Sequence, residues 1–333
     1  MRALAITTAL AAALAACSAG SNAAPAGEGA HGGVADSLFC ADSAYARVAE
    51  QVALGPRTPG SDAARVCAER IAALLDGYGA DSTAIHEAGA RRFDGQPLRL
   101  RNVFARFGAD DGRRRILLLA HYDTRPWADM EADAARRMQP IPGANDGASG
   151  TGVLLEIARA LGRHPARVGV DMLFVDGEDS GYSDAIAPAG TDESADTWCL
   201  GTQAWFGTDP YRGSTAPAYA ILLDMVGGAG ARFHREQFSD AAAARVVDRL
   251  WAEAAALGYG DIFVDATGGA VVDDHIYVSR AGIPAVDIIE HMHPATGSFA
   301  PVWHTHADNM DNIDPATLRA AGHTVLSLIY KEK

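Results

Sequence analysis

Carboxylates and imidazoles follow four apolar runs of this chain, and side chains of those two types, brought together, bind a divalent metal. Ile116-Leu117-Leu118-Leu119-Ala120 leads into His121 and Asp123, and Val170-Asp171-Met172-Leu173-Phe174-Val175 leads, through Asp176-Gly177, into Glu178 and Asp179. Ile221-Leu222-Leu223 leads into Asp224, and Ala285-Val286-Asp287-Ile288-Ile289 is followed by a loop carrying Trp303-His304-Thr305. A further stretch, Gly143 to Gly150, sets Asp146 among small residues just ahead of a helical pattern. There glycines permit close backbone approach, and a helix N-terminus favours negative charge. Taken alone, Asp146 is an ordinary helix cap and Glu178-Asp179 an acidic turn. Taken together, Asp146, Asp179 and His304 make a three-ligand zinc site with an open position, which is what a catalytic zinc needs. Glu178, pointing away from its neighbour, is then free to act as a general acid/base.

Such a site requires the four runs to be neighbouring strands. Short β-branched and leucine-rich runs spaced by helical patterns read as buried parallel strands, and open α/β sheets bind ligands outside the carboxyl ends of such strands. The expected fold is α/β: a single domain with a mostly parallel, twisted central sheet flanked by helices. Residues 38–78 read as two helices, the second capped by Ser61, with Ala63, Val66, Ile71, Leu74 and Leu75 on its apolar stripe. Residues 81–108 read as two strands. Thr151–Leu161, Ser239–Leu257 (with Ser239 as N-cap) and Pro315–Tyr330 read as amphipathic helices. Long irregular segments, Thr124–Pro142, Ser180–Leu200 and His291–Val302, follow the site-bearing strands and are expected to wall a pocket.

With 333 residues, 48% hydrophobic and 21% charged, the chain can bury one large core. Its net charge of -14 argues against a nucleic-acid partner, which would require a basic face, and suits a cationic substrate. At the N-terminus, Arg2 and the small apolar stretch Ile6–Ala16 resemble a secretory signal, and Leu14-Ala15-Ala16-Cys17 resembles a bacterial lipobox. The expected organisation is a signal peptide over 1–17 with lipidation at Cys17, a Gly/Ala-rich tether over 18–36, and a catalytic domain over 37–333. That segment is too short for a permanent membrane helix. The expected location is therefore periplasmic or outer-membrane-anchored, with the membrane reached only through the lipid. Cys40 and Cys67 lie in the N-terminal helical region and are candidates to pair, while Cys199 sits between two site-bearing strands. A monomer is expected.

His121-Tyr122-Asp123, the Gly143–Gly150 loop, Asp176-Gly177-Glu178-Asp179, Leu222-Leu223-Asp224 and Trp303-His304-Thr305 occur in the order seen in co-catalytic zinc aminopeptidases. Asp273-Asp274-His275, Arg280-Ala281-Gly282-Ile283-Pro284 and Phe299-Ala300-Pro301-Val302-Trp303-His304-Thr305 resemble, within that clan, the animal-type glutaminyl-peptide cyclotransferases, or glutaminyl cyclases. The likeness covers residues 101–333 well and the N-terminal helices loosely. It implies a zinc aminopeptidase-like, phosphorylase/hydrolase-like α/β sandwich with one catalytic zinc on Asp146, Asp179 and His304. It further implies Glu178 as general acid/base, Asp224 and Asp273 as carboxylates organising protons and the substrate amine, and Trp303 and Phe299 as pocket aromatics. The implied substrate is a peptide or protein with an N-terminal glutamine. The chain departs from the family in two places. Glu178-Asp179 stands where Glu-Glu is usual, and the pocket tryptophan that follows has no clear match, with Trp198 or Trp205 as its replacement. The competing expectation is an aminopeptidase with two zinc ions, in which His121 and Asp224 hold the second and Asp146 bridges.

Overall fold

Successive side chains of each central strand enter two different apolar layers, and that alternation builds the molecule. In the computed structural model, residues 34–187, 191 and 195–333 are described; the expected signal segment, Cys17 and most of the expected tether lie outside them. The helices are α1 (Val34–Leu38), α2 (Ala41–Val52), α3 (Asp62–Gly77), α4 (Ala148–Arg163), α5 (Leu200–Phe206), α6 (Gln237–Ala256), α7 (Asp274–Arg280) and α8 (Pro315–Lys331). The strands are β1 (Ser82–Arg91), β2 (Pro97–Phe107), β3 (Arg115–His121), β4 (Gly169–Val175), β5 (Ala220–Leu223), β6 (Phe233–Arg235), β7 (Phe263–Thr267) and β8 (Ala285–Ile288). Six of them form one sheet in the order β1-β2-β4-β3-β5-β8, and β6 and β7 pair separately.

The four strands β4, β3, β5 and β8 run parallel, while β1 and β2 join antiparallel at one edge. Ile116, Leu118 and Ala120 of β3 pack with Val170, Met172 and Phe174 of β4 into the larger core, which α2, α3, α4, α6 and α8 cover. Leu117 and Leu119 pack with Leu173, Val175 and Leu222 on the other face, under Trp205 of α5 and Val278 of α7. Both faces are therefore buried, which is why these strands read as continuous apolar runs. The expected parallel, helix-flanked sheet is present.

Ser61 caps α3, its side chain accepting from Ala64 N–H at 3.1 Å. Three expectations differ. Helix α6 is capped by Glu236, which accepts from Phe238 and Ser239 N–H. Ser239 instead spends its hydroxyl on Glu236 and on Asp287 N–H. Cys67 is a free thiol buried in the core, so it does not pair with Cys40; it lies on the packed face of α3. Residues 34–36 belong to α1 rather than to a tether, because Ala35 and Phe39 are buried in the main core.

Gly150 fixes how close α4 comes to the sheet. A Cβ there would stand 2.0 Å from Leu223 O at the end of β5. Gly150→Ala is expected to destabilise the fold by about 1–3 kcal/mol through overpacking against backbone. Urea unfolding measures it, and an unchanged midpoint would refute this account of the contact.

Candidate active site

The carboxyl ends of the four parallel strands lie side by side, and each delivers one part of the site. His121 ends β3, Glu178 and Asp179 follow β4, Asp224 follows β5, and the segment after β8 carries Phe299, Trp303 and His304. Asp146 arrives from the turn before α4, where Gly147, at φ 88, passes so near the strand end that a Cβ would meet Asp123 O at 2.5 Å. Buried Arg57 ties the post-β3 and Gly143 segments together, donating to Tyr122 O, Pro142 O and Gly143 O at 2.8, 3.0 and 2.7 Å. Asp308 accepts from Asn145 and Asp146 N–H at 2.7 and 3.1 Å, and Asp123 accepts from Glu178 and Asp179 N–H at 3.2 and 3.3 Å. The carboxylates are thus placed by backbone bonds to other carboxylates, with little freedom left.

Asp146, Asp179 and His304 converge. His304 Nε2 lies 3.3 Å from Asp179 Oδ1 and 3.6 Å from Asp146 Oδ2. Ligand atoms around a tetrahedral zinc at about 2.0–2.1 Å stand roughly 3.3 Å apart, so the spacing suits the ion. Asp179 Oδ2 is buried with no hydrogen-bond partner, a cost that a bound cation removes. His304 Nδ1 lies 3.1 Å from Asp129 Oδ1, the carboxylate that orients a metal-binding imidazole. His304 also holds a left-handed backbone, φ 55, a strained conformation of the kind that collects at functional sites. A second group, His121, Asp146 and Asp224, shares Asp146, with His121 Nε2 3.1 Å from both carboxylates.

Charge is crowded here. Burial opposes the charging of His121, yet Asp123, Asp146 and Asp224 overcome it and raise the imidazole well above its usual range. Burial, then Asp146, pushes Asp179 up to about 6, a shift that a bound cation reverses. Burial and then the Asp273 carboxylate raise Glu178 well above the ordinary range, with Asp179 and Asp274 acting in the same direction. Glu178 groups with Cys199 and Asp273 rather than with Asp146, Asp179 and His304. Two adjacent carboxylates occupy two different surroundings.

The aromatic residues sort cleanly. Trp303 stacks on His304 with ring centroids 3.5 Å apart and lies 4.5 Å from Phe299, both packed against Met225, Val271 and Ile289. Trp198 lies nearly parallel to His304, at 14° and 6.3 Å, beneath the guanidinium of Arg125. A Cβ on Gly181 would collide with the Trp198 indole at 1.9 Å, so that glycine makes room for it. Trp205 is buried against Phe104 and His86 in the second core and is not part of the site.

Arg125 and Asp129 carry weight that no sequence pattern announced. Arg125 is buried, donates to Asp179 Oδ1 at 3.2 Å and grips both oxygens of Asp129 at 2.9 and 2.6 Å. Burial would raise Asp129, but His304 and Arg125 outweigh it and hold the carboxylate ionised. Asp129→Asn is expected to weaken zinc binding by about 10–100-fold. Competition with a chromophoric chelator measures this, and unchanged affinity would contradict the role given to Asp129.

This fold and donor set define a zinc-dependent enzyme of the aminopeptidase-like α/β class. The model of Peptidase family M28 matches residues 102–329, and the chain belongs to that family. The crystal structure of Tannerella forsythia glutaminyl cyclase is 44% identical with a TM-score of 0.84, covering 89% of this chain and 100% of that one. A leucine aminopeptidase precursor from Bacteroides thetaiotaomicron is 40% identical with a TM-score of 0.83, covering 89% and 98%. The Bos taurus glutaminyl-peptide cyclotransferase-like protein is 30% identical over 244 residues, covering 67% of this chain and 58% of its own. Among the curated relatives, matches to probable zinc metalloproteases span only 17–22% of those proteins' length.

Proposed function

We propose that the protein is a glutaminyl-peptide cyclotransferase that converts an N-terminal glutamine to pyroglutamate with release of ammonia. The observation that carries this reading is the aromatic wall beside the metal ligands: Trp303 stacked on His304, Phe299 behind it and Trp198 nearby. Flat walls of this kind suit a short amide side chain folded back on its own amine, and they crowd an extended peptide. Zinc on Asp146, Asp179 and His304 would supply Lewis-acid polarisation of the γ-carbonyl. The chain's own residues do the rest. The aromatics hold the glutamine in its folded form, so the attacking amine is already at the carbonyl carbon and the site need only exclude solvent. Glu178 takes a proton from the α-amine as the C–N bond forms and gives it to the departing amide nitrogen, which leaves as ammonia. A carboxyl raised well above the ordinary range is suited to both halves of that transfer. Asp273 and Asp224, close behind, draw in the substrate's ammonium, which gives up one proton to solvent to become the neutral amine that attacks.

The second reading is an aminopeptidase, favoured by the His121, Asp146 and Asp224 group, which supplies ligands for a second ion. Glu178 would then take its proton from water. Mass spectrometry of Gln- and Leu-initiated peptides separates the two. The cyclase reading expects loss of ammonia, about 17 Da, with peptide bonds intact, and Trp303→Ala losing chiefly substrate binding. Release of leucine with no ammonia from glutamine would give the case to the peptidase. The reading includes an exported protein anchored through lipid on Cys17; among the described residues no helix is long and apolar enough to cross a membrane. Cys17→Ser releasing the protein from membrane fractions tests that part.

A further inference from the structure

Cys199 has no part in the reaction above, yet its thiol is held against Glu178. The residue precedes α5 and has a left-handed backbone, φ 56, which is unfavourable for a residue other than glycine. Its N–H donates to Glu178 O at 3.0 Å, and its carbonyl accepts from Gln203 N–H at 3.0 Å. The thiol itself donates to Glu178 Oε1 at 3.4 Å. Glu178, Cys199 and Asp273 each turn one ligand atom toward a common point, all within 4.8 Å of one another. Asp273 is 2% exposed; Oδ1 accepts Asp274 N–H, and Oδ2 is left buried with no hydrogen-bond partner. A tetrahedral ion holds sulfur at about 2.3 Å and carboxylate oxygen at about 2.0–2.2 Å, so its ligand atoms stand roughly 3.3–3.7 Å apart. Cys199 Sγ and Glu178 Oε1 already stand at 3.4 Å, and with all three ligand atoms within 4.8 Å of one another a small side-chain movement closes the group around an ion. Glu178, at 7% exposure, is not wholly sealed from solvent.

We propose that Glu178, Cys199 and Asp273 form a second cation site, separate from Asp146, Asp179 and His304, which takes a thiophilic divalent ion such as cadmium or excess zinc and so inhibits the enzyme. A thiolate among carboxylates selects softer ions over magnesium and calcium. On binding, the sulfur–metal bond forms, the thiol proton passes to solvent, and nothing is oxidised or reduced. The ion occupies the Glu178 oxygens that would otherwise carry the substrate proton. Inhibition rests on the proposed role of Glu178; binding rests on geometry alone.

The test titrates zinc-loaded enzyme with cadmium chloride, following the ultraviolet sulfur-to-cadmium charge-transfer band and the rate on a Gln-peptide. The wild type should gain the band as its rate falls on the order of a hundredfold. Cys199→Ser should lose the band and need at least roughly tenfold more cadmium for the same fractional inhibition. Asp273→Asn should keep the band at weaker affinity. Cys67→Ala should behave as wild type, and His304→Ala, without its catalytic zinc, should still show the band. A band that persists in Cys199→Ser, or equal inhibition of that variant and wild type, overturns the proposal. A band without inhibition overturns the inhibitory role and the assignment of Glu178 with it. A wild type that shows the band but never releases ammonia from glutamine supports the cation site and overturns the cyclase reading alone.

Discussion

Glu178→Gln is expected to keep its zinc and lose at least about a hundredfold in rate, on the order of 3 kcal/mol of transition-state stabilisation. Glutamine has nearly the same shape, so Cys199 and Asp273 keep a neighbour of the same size while the proton carrier is gone. Asp179→Asn next door should do the opposite and weaken metal binding first. The division follows from where the two side chains lie: Asp179 with Asp146 and His304, Glu178 with Cys199 and Asp273. Zinc content and rate measured on the same preparations decide it. If both variants lose zinc equally, the division of labour is wrong.

His304→Ala should lose zinc and with it essentially all activity. The imidazole is the only nitrogen donor in its group, and its removal leaves Asp146 and Asp179 facing each other with no cation between them. The position is also left-handed, so alanine adds backbone strain to ligand loss. His304→Asn separates the two effects, because asparagine tolerates that backbone but is a poor zinc ligand. Both variants should be zinc-poor by elemental analysis, and only alanine should show the added loss of thermal stability. Full activity in either would remove His304 from the site.

The strands were legible because burial on both faces makes them continuous apolar runs that stop where polar chemistry begins, as at Ala120-His121 and Leu223-Asp224. Asp146, Asp179 and Glu178 were legible for the same reason, each standing just past such a run or at the start of a helix, whereas His304, on the loop after β8, was legible through the resemblance that Trp303-His304-Thr305 carries. The pairing of β6 with β7 was not, since β6 has three residues and too little periodicity to read. Nor were Arg125, Asp129 and Asp308, which act from irregular segments by reaching across the site. Trp198 and Trp205 looked equivalent in sequence. Only the fold separates a half-buried ring beside His304 from one sunk in the second core. The Cys199–Glu178 contact joins residues 21 apart and depends on a left-handed turn that cysteine does not advertise.

Most of the charged groups stand just past strand ends or at a helix start, locked by backbone bonds, while Trp198 and Phe299 stand on long connecting segments and Trp303 is tied to His304 beside it. Substitutions in those segments can reshape what the pocket admits while Asp146, Asp179 and Glu178 keep their places. Descent with modification therefore has two nearly independent dials, one for the reaction's electrostatics and one for its clientele. A lineage can trade one substrate for another, or hydrolysis for ring closure, by turning the second while the first stays still. Grafting the 180–199 and 291–302 segments of this chain onto a related aminopeptidase is the laboratory version of that history.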